Sequence, residues 1–262
     1  MTAHAIDTYI DGQLVAPSAV QSWEARRAQA VLKKLTARVG ALGVAELLPG
    51  VDLSALDTTD PRAVRDVLVT LKSNLGHAGL YAILKRELAL SDRIARIAVT
   101  ASRGGSTHCG IRLVAADCSA SEFGAWFDDL TATDAETDMI AACPDHYLLR
   151  GLPDGRQEVV ETTGGSPTPT RFLVDYTTGR NASIPTNPDY PVQIAGQAVL
   201  DDGLVVGGVR HQFRDVNGAM EALLTVEFPR LFPSRMITEH RWHLATEFGN
   251  WIDAFRQQRN QR

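Results

Sequence analysis

An α+β architecture is what this sequence predicts: a curved antiparallel sheet around one long C-terminal helix, preceded by an N-terminal helical extension. Three observations point there. Residues 20–100 place apolar side chains at helical spacing, residues 146–228 break into short β-rich segments separated by turn residues, and residues 236–258 return to a helical period. With 262 residues, 44% of them hydrophobic, the chain can bury a sizeable core. The stretch RGGS, 103–106, ends the helical run. The expected division is therefore an extension over 1–105, packed on a main domain over 106–262.

Within the extension, SWEARRAQAVLKKLTARVGAL carries its Lys and Arg side chains on the face opposite the apolar one. TDPRAVRDVLVTLKSNL opens with Asp60 as a cap and Pro61 at the first helical position, where its missing N–H costs nothing. SDRIARIAVTAS repeats the pattern, with Ser91 as its expected cap. After the break, IRLVAADC (111–118) reads as a strand and SASEFGAWFDDL (119–130) as an amphipathic helix. The sheet continues through HYLLRG, QEVVET, RFLVDY, VQIAGQAVL, LVVGGVRHQFRD and MEALLTVEF, with turns at LPDGR, DDG and NGA.

The net charge of −5 lends no support to nucleic-acid binding. No apolar run reaches the roughly 18–20 residues of a membrane span, and the first residues lack an apolar signal core. Three cysteines without CxxC spacing suit reduced thiols, so a cytoplasmic location is expected. The paired glycines of RGGS, TTGGS and VVGGV match neither a dinucleotide nor a phosphate-loop fingerprint and read as turns and bulges. GxSxG is absent, which argues against an α/β-hydrolase nucleophile.

The terminal helix holds the chemistry. At about 100° per residue, Glu239, His243 and Glu247 share one quarter of its circumference, with His240 at the edge. Ile237, Leu244, Phe248, Trp251 and Phe255 fill the neighbouring arc, so the polar cluster borders buried surface. His243 and Glu247, at i and i+4, can offer a nitrogen and an oxygen to one metal ion. Two ligands do not hold a catalytic metal, and the sheet offers further candidates in His146, His211, and either Glu158 or Glu161. Those two glutamates lie three apart on one strand, so only one of them points inward. Glu239 and His240 are read as ordinary hydrogen-bonding residues. His4 and His77 are read as incidental, and His108 beside Cys109 has no second thiol at usable spacing.

A curved sheet gripping a helix is the START/Bet v 1-like, or helix-grip, arrangement. Four segments, EFGAWFDDL, CPDHY, EVVETTG and HLATEFGNW, together with HQFRDVNGAME, resemble in order the diacetylphloroglucinol and phloretin hydrolase family, over roughly residues 111–255. The resemblance implies a zinc-dependent enzyme that cleaves a carbon–carbon bond between an acyl group and a phenolic ring. It implies His146, Glu161, His243 and Glu247 as ligands of zinc or another divalent transition metal, and His211 as a catalytic pocket histidine. The substrate would be a small hydrophobic or aromatic ketone, an acylphenol or a β-diketone. Two family features are missing: ETDMIAA has no tyrosine before the histidine turn, and YLLR has no amide after it. The alternative is a helix-grip polyketide cyclase or hydrophobic-ligand binder without catalytic metal. The N-terminal helices would cap the pocket or form a homodimer surface.

Overall fold

The structure, a computed structural model, describes residues 6–177 and 183–261; His4 lies outside them. It is α+β, with one large curved antiparallel sheet and five α-helices among the described residues. Strands β1 (Ile6–Ile10) and β2 (Gln13–Val15) form a hairpin that turns at Asp11 and Gly12, both at positive φ, outside the segments expected to be β-rich. Helices α1 (Pro17–Leu47) and α2 (Pro61–Ser102) follow. Then come β3 (Ser106–Ala116), α3 (Ala120–Ala132) and the short α4 (Glu136–Ala141). Six strands complete the sheet: β4 (His146–Gly151), β5 (Gln157–Glu161), β6 (Thr170–Asp175), β7 (Val192–Val199), β8 (Val205–Val216) and β9 (Ala219–Pro229). Helix α5 (Ser234–Arg259) closes the chain.

The nine strands run in the order β2-β1-β3-β9-β8-β7-β6-β5-β4, so β4 to β9 form an uninterrupted meander and β3 returns to pair with β9. One core lies between the sheet, α3 and α5. It holds Phe123, Phe127, Leu113, Phe213, Leu224, Phe248, Trp251 and Ile252. A second core sits under α1 and α2, where Val31, Leu35, Leu68, Leu71 and Leu84 meet Tyr147, Leu148 and Val160. Strands β4 and β5 are thus covered on both faces, which is why QEVVE is buried at every position and why its sequence does not alternate.

Two helices are longer than the sequence segments implied. Each is a pair of helical segments joined at a kink, at Gly40 (φ 74°, ψ 171°) in α1 and Gly76 (φ 60°, ψ 176°) in α2, a conformation glycine adopts without a Cβ penalty. Asp60 caps α2 as expected, accepting from the Arg62 N–H at 2.9 Å. Ser91 does not begin a helix: it lies within α2, and its hydroxyl donates to Thr168 Oγ1 at 2.8 Å. The glycines of VVGGV lie inside β8, where an added Cβ on Gly207 would come within 2.3 Å of the Glu227 carbonyl oxygen. The register shift falls on the facing strand, between Ala198 and Val199. All three cysteines are free and buried. Among the described residues no helix is long and apolar enough to cross a membrane.

Candidate metal centre

Helix α5 presents His240, His243 and Glu247 to the sheet, and the first residue of β4 and the last of β5 face them. His146 and Glu161 are direct register partners across those strands. Alternation then sorts the two glutamates of β5. Gln157, Val159 and Glu161 line a cavity, whereas Glu158 turns to the other face, where Tyr81, Arg150 and Arg171 bind its carboxylate. Glu161 is therefore the glutamate that meets the histidines.

Four side chains converge. His146 Nε2 lies 3.1 Å from His243 Nε2. Glu161 Oε2 is 3.8 Å from each of those nitrogens, and Glu247 is 3.6 Å from the first through Oε1 and 3.7 Å from the second through Oε2. Tetrahedral ligands at bond lengths of about 2.0–2.1 Å stand roughly 3.3–3.4 Å apart. The four donor–donor distances between the histidines and the carboxylates, and the one between the histidines, lie within about half an ångström of that spacing. Two other triads also bring donors together, Cys143–His146–His243 and Glu161–His240–His243. Cys143 approaches His243 through Nδ1, at 3.8 Å, on the side away from the convergent Nε2 atoms. Burial also pushes its thiol well up, so without a metal it is a neutral S–H.

The surroundings orient this set. The Met139 carbonyl can only accept, so at 3.2 Å it holds the proton of His146 on Nδ1 and leaves the Nε2 lone pair facing the other donors. The Thr163 hydroxyl donates to Glu161 Oε1 at 3.2 Å, leaving Oε2 toward the histidines. Lys72, wholly buried, donates to the carbonyl oxygens of Pro144 and His146 at 2.8 and 2.5 Å. Between these two residues, the buried Asp145 receives a bidentate pair of bonds from Arg27 at 2.8 and 2.7 Å. Trp23 meets the His243 ring edge-on and donates from Nε1 to Glu239 at 2.8 Å. Helices α1 and α2 thus back the cluster, a role with no local signature, because Trp23, Arg27 and Lys72 sit in ordinary helical patterns. Asp145 alone had a signal, as the neighbour of a candidate ligand.

Burial dominates the electrostatics. It pushes His146, His211 and His240 down to about 3 and His243 further, so all four imidazoles are neutral. The same desolvation raises Glu161 to about 7 and Glu247 well above its ordinary value, the latter also because Glu161 stands beside it. The two carboxylates keep a little exposure, 11% and 13%, toward the cavity they line. Neither has a Lys or Arg within 4 Å among the described residues. Two acids held together in apolar surroundings without a cation are costly, and a divalent ion would compensate both.

The cavity beside the cluster encloses about 670 Å³. Its wall includes His211 from β8 and His240, with Phe127, Phe172, Phe248 and Trp251. His211 packs edge-on to Phe248 at 4.7 Å. His240, expected to be an ordinary polar residue, is buried and stacks on His243 at 4.8 Å. Glu239 has the hydrogen-bonding role expected of it. His77 bridges Glu136 and Arg150, away from the cluster, and His108 is hydrogen-bonded to Ser183. No protein-family model matches this chain, and no curated protein matches it in sequence.

Proposed function

We propose that this chain is a metal-dependent hydrolase of helix-grip fold that cleaves a carbon–carbon bond next to a ketone, in the manner of the diacetylphloroglucinol hydrolase family. The observation that carries the reading is the convergence of two neutral imidazoles and two buried carboxylates at one end of an apolar cavity. His146, Glu161, His243 and Glu247 would hold the metal, and a mixed N/O set of this kind suits zinc while admitting other divalent transition metals. When bound, such an ion supplies Lewis acidity for a ketone oxygen and acidifies water to a pKa of about 7.

The chain's own residues do the rest. The aromatic wall excludes water and holds a flat or apolar ketone against the cluster. Hydrolysis adds water across the bond: its oxygen joins the carbonyl carbon, the C–C bond breaks, and the other carbon leaves as an enol. That carbon must receive a proton. His211, neutral and on the cavity wall, is the residue to hydrogen-bond the ketone or ring carbon as charge develops there. A base for the attacking water would be Glu161 or Glu247, once released from the metal. A metal-free cyclase or binding protein would use the same cavity, with the buried Glu161 and Glu247 pair carrying protons where the hydrolase would carry a metal.

Elemental analysis of protein purified without chelator or histidine tag tests the reading. About one transition-metal ion per chain is expected, lost in His243→Ala, together with release of a carboxylic acid from acylphenols or 2,4-diketones. A folded protein free of metal would overturn it.

A further inference from the structure

The cavity has two chemically distinct ends. Its deep end carries the polar residues Glu161, Glu247, His211 and His240, all buried or nearly so. Its rim is apolar and open: Ile94 and Ile97 on α2 and Leu231 after β9 line it while remaining 52%, 68% and 57% exposed. Large aliphatic side chains left in water around a pocket are not accounted for by the fold, since neither hydrophobic core includes them.

Helix α2 shows how the two ends connect. Ser91, Ile94, Ala98 and Ala101 recur at three- and four-residue spacing, so one face of the helix lines the cavity. Ala98 and Ala101 are small and leave room along that face. Ser91, the polar residue of that face, is buried and already satisfied, because it donates to Thr168. A ligand passing outward from the deep end therefore meets methyl and methylene surface and finds no built polar partner on α2. A volume of about 670 Å³ is in the range of drug-sized ligands, far more than a short acetyl ketone fills.

We propose that the ligand is an amphiphile: a ketone head at the deep end and an unbranched alkyl tail that runs along α2 and leaves past Ile94, Ile97 and Leu231. The head assignment rests on the hydrolase reading; the tail rests on the rim alone. The predicted substrate class is accordingly long-chain alkane-2,4-diones, with simple long-chain ketones as ligands that bind without being cleaved. For the diones, water adds to one carbonyl, the bond to the central carbon breaks, and a carboxylic acid and a methyl ketone are formed.

Calorimetric titration with straight-chain 2-ketones from hexanone to decanone tests this without turnover, on the metal-loaded and the chelator-treated protein. Affinity is expected to rise about threefold per added methylene, somewhat under the roughly fourfold of complete burial. The slope should flatten in the double variant Ile94→Asn/Ile97→Asn, whose side chains are exposed and whose fold circular dichroism can verify, and in Ala98→Phe, which fills the groove. Affinity that does not grow with chain length overturns the proposal. So does an undiminished slope in both variants, including the case where the double variant alters self-association or vesicle binding instead. The two readings fail separately: a chain-length slope without diketone cleavage overturns the hydrolase, and cleavage without the slope overturns the tail site.

Discussion

At the residue scale, His211 owes its state to burial, with the neighbouring His240 a smaller influence. Its folded value is depressed to about 3 from an ordinary 6.5. Below pH 6.5 the unfolded chain therefore binds a proton that the folded chain refuses, and stability is lost as pH falls from 6.5 toward 3. His211→Phe, which keeps an aromatic ring against Phe248, should relieve that loss. Urea midpoints compared from pH 7 to pH 4 should show the variant gaining on the parent by up to about 1.4 kcal/mol per pH unit below 6.5. A constant difference across the series would mean that His211 titrates normally. The residues of the cluster differ in how far the sequence betrays them. His243 and Glu247 are visible because a helix puts i and i+4 on one face. Glu161 over Glu158 follows only from a family resemblance, because strand alternation says that one of the two faces inward and not which. Arg27 and Lys72 reach the cluster from elements remote in sequence, and no local pattern encodes such a contact.

At the element scale, the single-turn 3₁₀ segment Thr163–Gly165 joins β5 to the loop against α5. Gly164 sits at φ +54°, and a Cβ there would come within 2.0 Å of the Met236 carbonyl oxygen. Both terms penalise any side chain. Gly164→Ala should thus push the start of α5 away from the end of β5, separating Glu161 from His243, at a cost above about 3 kcal/mol. Thermal unfolding would register the destabilisation, and metal content would fall with it; an unchanged melting temperature would refute the close approach. Elements with a strong period or punctuated ends, such as β4 to β9, α3 and α5, were legible nearly to the residue. The β1–β2 hairpin was legible only in its turn, the Asp-Gly pair at 11–12: five and three residues give too short a strand pattern, and the pairing of β1 with β3 is a long-range contact. In α1 and α2 the glycines mark real interruptions, since Gly40 and Gly76 leave the helical φ/ψ region; what no local pattern shows is that a second helical segment packs on directly after each.

At the scale of the whole molecule, the two cores are joined through β4 and β5, whose alternate residues belong to one core and the other. Val159 and Leu149 pack with α5 and α3; Val160 and Leu148 pack with α1 and α2. A loss of packing under the helices is thereby transmitted to the strands that carry His146 and Glu161. The division of the chain near residue 105, suggested by its change of texture, is crossed by the β1–β3 ladder and by the side chains of Trp23, Arg27 and Lys72.

An open sheet has two ends, and β4 is one of them. The terminal strand of a sheet is a template on which another molecule can add its own strand. Here, however, Lys72 lies buried on the carbonyls of Pro144 and His146 at the start of that strand, so this stretch of the margin is closed to an incoming strand. Lys72→Met would leave both acceptors buried without a donor while keeping the apolar stem. We expect it to cost about 1–3 kcal/mol, read as a lower urea midpoint; an unchanged midpoint would show that the ammonium group adds nothing to the fold.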